Sequence, residues 1–287
     1  MKIEVNGLNF AYANRPVLNI TAAQFEPGLA YGIVGRNGVG KTTFFKCLVN
    51  IITTYGGSIR MDGLEVKNHL HMLGRVGIVL DDTNLYPNRT GLFNLKYFAG
   101  LRGGVSDMRV YELAKELEID QALPYKVSTY SLGMVKKLQL LISLMNDANV
   151  LIFDEPFRGL DAKTVDWFRN YLIKLKNEGR TILISSHVQE DIESISDKVM
   201  VLEHGDFRHV FDLNDKTQAF IYTVEVSDQA GLIEILDQYG VKHRENEKVV
   251  QFITYEPTYH QLFETVVAAG IQFYQIKKEA QFAKFVK

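Results

Sequence analysis

Gly35-Arg36-Asn37-Gly38-Val39-Gly40-Lys41-Thr42-Thr43 stands between a short apolar run, Tyr31-Gly32-Ile33-Val34, and a stretch from Thr42 to Ile51 that reads as a buried helix. The pattern is G-x-x-x-x-G-K-[ST] in the order strand, loop, helix. Each position has a chemical reason. Glycines let backbone amides turn inward and make a nest for phosphate oxygens. The helix that follows presents its positive end to the same point. Lys41 supplies a mobile cation for the outer phosphates, and the Thr42 hydroxyl can reach Mg²⁺. The candidate nucleotide contacts are therefore Gly35, Asn37, Gly38, Gly40, Lys41, Thr42 and Thr43. A nucleoside triphosphate with Mg²⁺ is the expected ligand, and the loop alone leaves open which one.

Working outward, apolar runs alternate with helical patterns. Val76-Gly77-Ile78-Val79-Leu80, Val150-Leu151-Ile152-Phe153 and Thr181-Ile182-Leu183-Ile184 read as buried strands, and Val165 to Lys176 as a helix. That alternation predicts an α/β core with a largely parallel sheet covered on both faces. Ile3, Val5 and Leu8 mark an N-terminal strand. From Thr90 to Ala148 the apolar residues Leu113, Leu117, Leu138, Leu141, Ile142 and Met145 recur at helical spacing, which predicts a helical subdomain over about residues 88–148. The texture turns polar from Asp212 to Lys216. Beyond it the pattern is β-α-β-β-α-β, with strands expected at Ala219 to Val226, Val241 to Arg244, Val249 to Thr254 and Ile271 to Ile276. That order is the ferredoxin-like split unit. The expected division is residues 1–214 and a small α+β domain over residues 215–287.

The strand Val150 to Phe153 runs into Asp154-Glu155. A carboxylate at the end of a core strand beside a phosphate loop suits a metal contact for Asp154. Glu155 is placed to polarise a water for in-line attack.

Three further segments make the reading specific. Tyr130-Ser131-Leu132-Gly133-Met134 resembles the L-S-G-G-Q signature of ATP-binding cassette (ABC) proteins, with Ser131 and Gly133 in matching places. Gly159-Leu160-Asp161 follows Asp154-Glu155-Pro156 as that family's D-loop does. Ser185-Ser186-His187 follows the next strand, where the family carries its switch histidine. The resemblance covers about Met1 to Val210. It implies the P-loop NTPase fold of an ABC cassette and two cassettes facing head to tail. Each ATP would then lie between Lys41 of one copy and Ser131 and Gly133 of the other. The resemblance further implies Glu155 as the base, His187 at the γ-phosphate, Asp161 communicating across the interface and Tyr12 stacking on adenine.

Two positions depart from the family pattern. Asp81 stands where a glutamine near the metal is usual, so it joins Thr42 and Asp154 as a candidate metal contact. Leu132 replaces a glycine and Met134 a glutamine. Both forms resemble the exporter branch of bacitracin-resistance and antibiotic-peptide ATPases.

The remaining features bound the biology. The formal net charge is -2 and no basic patch dominates, so no nucleic-acid partner is expected. No apolar run approaches the roughly 18 residues of a membrane span. The N-terminus lacks the apolar core of a secretory signal. The ABC resemblance, in a chain with no span of its own, implies a cytoplasmic protein peripheral on the inner face of the membrane, held there by a separate polytopic permease that it energises. The single cysteine, Cys47, reads as a buried structural thiol. Two other functions stay open at this level: a soluble cassette ATPase acting on the ribosome or nucleic acid, and a regulatory cassette with weak hydrolysis.

Overall fold

The structure is a computed structural model that describes residues 1–80, 85–104, 106–215, 219–246 and 248–286. The chain divides into two compact units, Met1–Phe211 (with Val286) and Asp212–Phe285. The first unit begins with β1 (Ile3–Tyr12), β2 (Arg15–Phe25), β3 (Ala30–Val34), α1 (Lys41–Leu48), β4 (Gly56–Met61), β5 (Leu64–Glu65) and β6 (Val76–Val79). It continues through α2 (Gly91–Gly100), α3 (Asp107–Glu116), α4 (Leu132–Leu144), β7 (Val150–Asp154), α5 (Ala162–Asn177) and β8 (Thr181–Ser185). It ends with α6 (Gln189–Ile195), β9 (Lys198–Glu203) and β10 (Asp206–Asp212).

The six-stranded sheet has the order β10-β9-β3-β8-β7-β6. β3, β8, β7, β6 and β9 pair in parallel. Every residue of β3, β7 and β8 is buried, as a parallel sheet covered on both faces requires. Because β3, β8 and β7 are neighbours, the loop after β3 and the ends of β7 and β8 emerge at one edge. That is the edge where open α/β sheets bind ligands.

A second sheet, β2-β1-β4-β5, is antiparallel. The sequence pattern showed its first strand but not the sheet. In β1 the buried positions run Ile3, Val5, Leu8, because the register against β4 slips between Asn6 and Asn9. That slip breaks strict alternation along β1 without hiding it as a strand, while nothing in the pattern of β1 names its partners. The two sheets share a core, and Phe25 is central to it. Its ring lies 5.0 Å from that of Tyr31, 6.0 Å from Phe44 on α1 and 6.4 Å from Phe207.

The predicted helical region resolves into α2, α3 and α4. Thr90 caps α2 by accepting from Phe93 N at 3.1 Å, and Ser131 caps α4 by accepting from Met134 N at 3.3 Å. From Lys136 to Leu144 α4 is buried on every side, so it is the core of this region rather than an amphipathic surface helix.

The second unit contains β11 (Ala219–Val226), α7 (Gln229–Gln238), β12 (His243–Glu245), β13 (Val250–Tyr255), α8 (Glu256–Ala268) and β14 (Phe273–Ala280). Its strands form an antiparallel sheet in the order β12-β13-β11-β14. Tyr222, Val224, Val250 and Phe252 of the sheet form one core with Leu232, Leu236, Leu262 and Val266 of the helices. Strand boundaries differ from the sequence reading: β12 starts at His243 rather than Val241, and β14 runs to Ala280 rather than ending at Ile276. Ile271 is buried in this core rather than opening the last strand, which starts at Phe273, because its N–H closes the α8 terminus on Val266 O at 3.2 Å.

Phe25→Ala is expected to cost about 4 kcal/mol by transfer loss plus cavity. Urea denaturation of the full chain should show the midpoint moving down accordingly.

Candidate functional site

β3 delivers the chain into the glycine-rich loop, and α1 starts at Lys41 with Gly40 as its N-cap. Gly38 and Gly40 take φ of +78° and +116°, backbone that side chains resist. The loop borders a cleft of about 470 Å³ lined by Asn37, Gly38, Gly40, Lys41, Thr42, Thr43, Asp154, Glu155, Arg158 and His187. Lys41 Nζ donates to Gly35 O at 2.6 Å. Burial pulls the Lys41 ammonium below its usual range, and the carboxylates of Glu155 and Asp154 oppose that shift.

Asp154 is 3% exposed. A buried carboxylate needs donors, and it has two hydroxyls: Thr42 Oγ1 at 2.5 Å and Ser185 Oγ at 2.5 Å. Ser185 lies opposite Asp154 in the β7–β8 register. Oxygen ligands of this kind suit a hard cation such as Mg²⁺, so Thr42 and Asp154 fit the metal that the loop implies. Among the described residues no three His, Cys, Asp or Glu gather as a metal cage. Asp81, the third candidate metal contact, lies outside the described residues.

Glu155 follows at φ +48°. A non-glycine residue in that region costs on the order of 1 kcal/mol and marks a position held by its surroundings. The holder is visible: Glu155 N donates to both the backbone and side-chain oxygens of Ser185 at 3.2 Å. Glu155 Oε2 then meets His187 Nδ1 at 2.7 Å, with the His187 side chain 61% exposed. The turn before α6 is tied down beneath it. Ser186 Oγ donates to Asp191 Oδ2 at 2.8 Å and accepts from Val188 N at 3.0 Å, and Arg169 Nη2 donates to Asp191 Oδ1 at 2.7 Å.

Asp161 caps α5, accepting from Thr164 N at 2.9 Å, and pairs with Lys137 of α4 at 3.0 Å. The Thr164 backbone bond, then Lys137, holds its carboxyl well below the usual range. Gly133 sits where an added Cβ would approach Gly159 O to 2.8 Å, so the α4 start and the Gly159 turn touch through backbone. Leu132 is 71% exposed and reaches over Gly159.

The fold thus brings Asn37, Gly38, Gly40, Lys41, Thr42, Thr43, Asp154, Glu155 and His187 to one cleft. Gly35 stands beside it as acceptor for Lys41. Ser131, Gly133, Asp161 and Tyr12 are not among the residues lining it. Tyr12 is 50% exposed near the β1–β2 turn and packs edge-on against Phe10 at 4.7 Å. Sequence reasoning missed three contributors: Ser185 as a donor to Asp154, the Arg169–Asp191–Ser186 chain, and Arg158. The apolar strand placed Ser185 at its end, but nothing local marked its partner. Cys47 is fully buried, and burial pushes its thiol up to about 12.

Comparison with known proteins shows the family. A family model described as "ABC transporter" matches residues 18–158. The bacitracin transport ATP-binding protein BcrA of Enterococcus faecalis is 37% identical over 205 residues, covering 71% of this chain and 67% of the relative. The chain belongs to the ATP-binding proteins of ABC transporters. The lantibiotic transport ATP-binding protein SrtF of Streptococcus pyogenes is 30% identical over 203 residues, covering 71% of this cassette chain and 87% of the relative. A solved structure titled "Structure of ATP binding subunit of ABC transporter" superposes with a TM-score of 0.69 at 22% identity, covering 84% of this chain and 94% of that one. That likeness confirms the α/β cassette fold.

The Asp161 cap has a pH signature. Its folded pKa is depressed, so its stabilisation is present above the unfolded carboxylate value and is lost as pH falls through the folded one. Asp161→Ala is expected to lose about 1 kcal/mol at neutral pH. The gap to the parent should narrow below about pH 4 in urea denaturation.

Proposed function

We propose that this chain is the motor of an exporter, energising a separate membrane-spanning permease by ATP hydrolysis. One observation carries the chemical part: Lys41, Thr42, Asp154, Glu155 and His187 converge on a single cleft at the carboxyl edge of the parallel sheet. Lys41 and the loop amides bind the outer phosphates. Glu155 orients a water and takes its proton as the water oxygen attacks the γ-phosphorus. The bond to the β-phosphate oxygen then breaks, giving ADP and inorganic phosphate. The hydrogen bond from His187 steadies the Glu155 carboxylate, and its exposed ring is free to reach the γ-phosphate. Mg²⁺, held by Thr42, Asp154 and in this reading Asp81, supplies charge neutralisation of the phosphates when bound.

Ser131 and Gly133 lie outside the cleft, which supports a site completed by a second copy. In that arrangement Ser131 and the α4 N-terminus face the partner's nucleotide, and Asp161 lies at the shared interface. Tyr12, near the β1–β2 turn, is the proposed adenine platform. No helix among the described residues is long and apolar enough to cross a membrane, so the transport path is assigned to the permease. An aromatic cluster on the helical region, Tyr86, Phe93 and Tyr97, is partly exposed and is the proposed face for it. The chain is thereby peripheral on the cytoplasmic face. The names of the bacitracin and lantibiotic relatives support export of a peptide-like antibiotic. We assign residues 1–214 as the nucleotide-binding domain. The strand order β12-β13-β11-β14 supports a ferredoxin-like accessory domain for the remainder.

Glu155→Gln is expected to keep ATP binding while phosphate release falls at least 100-fold, a size in keeping with general-base loss. Wild-type phosphate release from this variant removes Glu155 from the role of base. Lys41→Ala is expected to weaken ATP binding about tenfold or more, the scale of a charge-assisted contact. Equilibrium dialysis with ATP measures this, and unchanged affinity contradicts the assignment of the cleft.

A further inference from the structure

The turn after Glu155 carries a cation that none of these roles uses. Arg158 lines the same cleft as Lys41, Glu155 and His187. Its place follows from its neighbours. Phe157 is buried, with its ring 5.6 Å from that of Phe168, and the Arg169 guanidinium carbon lies 5.6 Å from the Phe157 centroid. With Phe157 anchored inward, the next side chain is turned outward to the cleft. The turn is closed on both sides: Arg158 N donates to Glu155 O at 3.4 Å, and Leu160 N donates to Phe157 O at 3.1 Å. Asp161 then fixes the exit by capping α5. Arg158 therefore stands three residues from Glu155 on a short, braced turn, with a long side chain lining the cleft.

The charges lining the cleft show what such a residue is for. Lys41 and Arg158 face Asp154, Glu155 and the titratable His187. Burial works against the Lys41 charge. Arginine keeps its charge at any pH the protein meets, and its planar fork matches two oxygens of one phosphate. Without Arg158 the two carboxylates would outweigh the single lysine and leave a net negative lining facing the last phosphate. With it, the lysine and arginine together offset the two carboxylates, and a guanidinium that keeps its charge lines the cleft with the residue proposed to activate water. The terminal phosphate is the part of ATP that ADP lacks, and it bears the charge that redistributes as the bond to the β-phosphate breaks.

We propose that Arg158 binds the terminal phosphate of ATP from within the same subunit, and so sets the preference for triphosphate over diphosphate as well as supporting hydrolysis. This rests on the assignment of the cleft as the ATP site.

The test uses the full chain, with Arg158→Ala, Arg158→Lys and Lys41→Ala as variants. Calorimetry measures affinity for Mg²⁺ with a non-hydrolysable ATP analogue and, separately, with ADP; phosphate release measures turnover. Circular dichroism and the urea midpoint establish that each variant is folded. Arg158→Ala is expected to bind the analogue about tenfold more weakly, with ADP affinity within about twofold of the parent. Its turnover is expected to fall about 100-fold. Arg158→Lys, which keeps the charge and loses the fork, should recover part of both. Equal weakening of analogue and ADP would assign Arg158 to bracing the turn and overturn the proposal. Parent-like discrimination and turnover in Arg158→Ala would overturn it too. If Lys41→Ala binds both nucleotides as the parent does, the cleft assignment itself fails, and this inference with it.

Discussion

The Asp154 carboxylate accepts from Thr42 Oγ1 and Ser185 Oγ, each at 2.5 Å, in a place where almost no water reaches it. A buried acid without donors is costly, so these two bonds are conditions of folding rather than accessories. Their effect is geometric. Thr42 belongs to α1, Asp154 ends β7 and Ser185 ends β8, so one side chain ties the phosphate loop to two central strands. Ser185 also accepts from Glu155 N, which holds Glu155 in a left-handed conformation. The placement of Glu155 against His187 follows from that hold.

The same edge of the sheet organises the charges. Parallel strands bring their carboxyl ends together, and each end contributes a different chemistry: amides and Lys41 after β3, carboxylates after β7, His187 after β8. The chain Arg169–Asp191–Ser186 fastens the β8 end, while Arg169 also lies over Phe157 in the turn after β7. The turns carrying Glu155, Arg158 and His187 thus share one support.

Much of this was legible in the chain because it is local. The loop from Gly35 to Thr43, the acids after Val150–Phe153 and His187 after Thr181–Ile184 are short motifs attached to apolar runs, and their spacing along the chain carries their meaning. The buried strands were legible because a strand covered on both faces is apolar throughout. The antiparallel sheet was not, since the pattern of β1 marks it as a strand without naming its partners and two-residue β5 has no periodicity to detect. Arg158 escaped notice for a related reason: an arginine in a turn carries no periodic signal, and only the burial of neighbouring Phe157 shows which way it faces.

The sequence by itself determined the phosphate loop, the α/β alternation, the acids Asp154 and Glu155, and the family to which they belong. It did so because glycines, a lysine and strand-end carboxylates act through backbone geometry set within a few residues. Tertiary structure alone decided which groups share the cleft. The strand order β3-β8-β7 puts Ser185 beside Asp154, sets His187 within hydrogen-bond reach of Glu155 and brings Arg158 into the lining of the same cleft, while Ser131 and Gly133 stay outside. Those neighbours lie from about thirty to more than a hundred residues apart in sequence, as the Ser185–Asp154 and Thr42–Asp154 bonds show. Their meeting depends on which strands pair, and pairing is settled by packing the whole core rather than by any one segment.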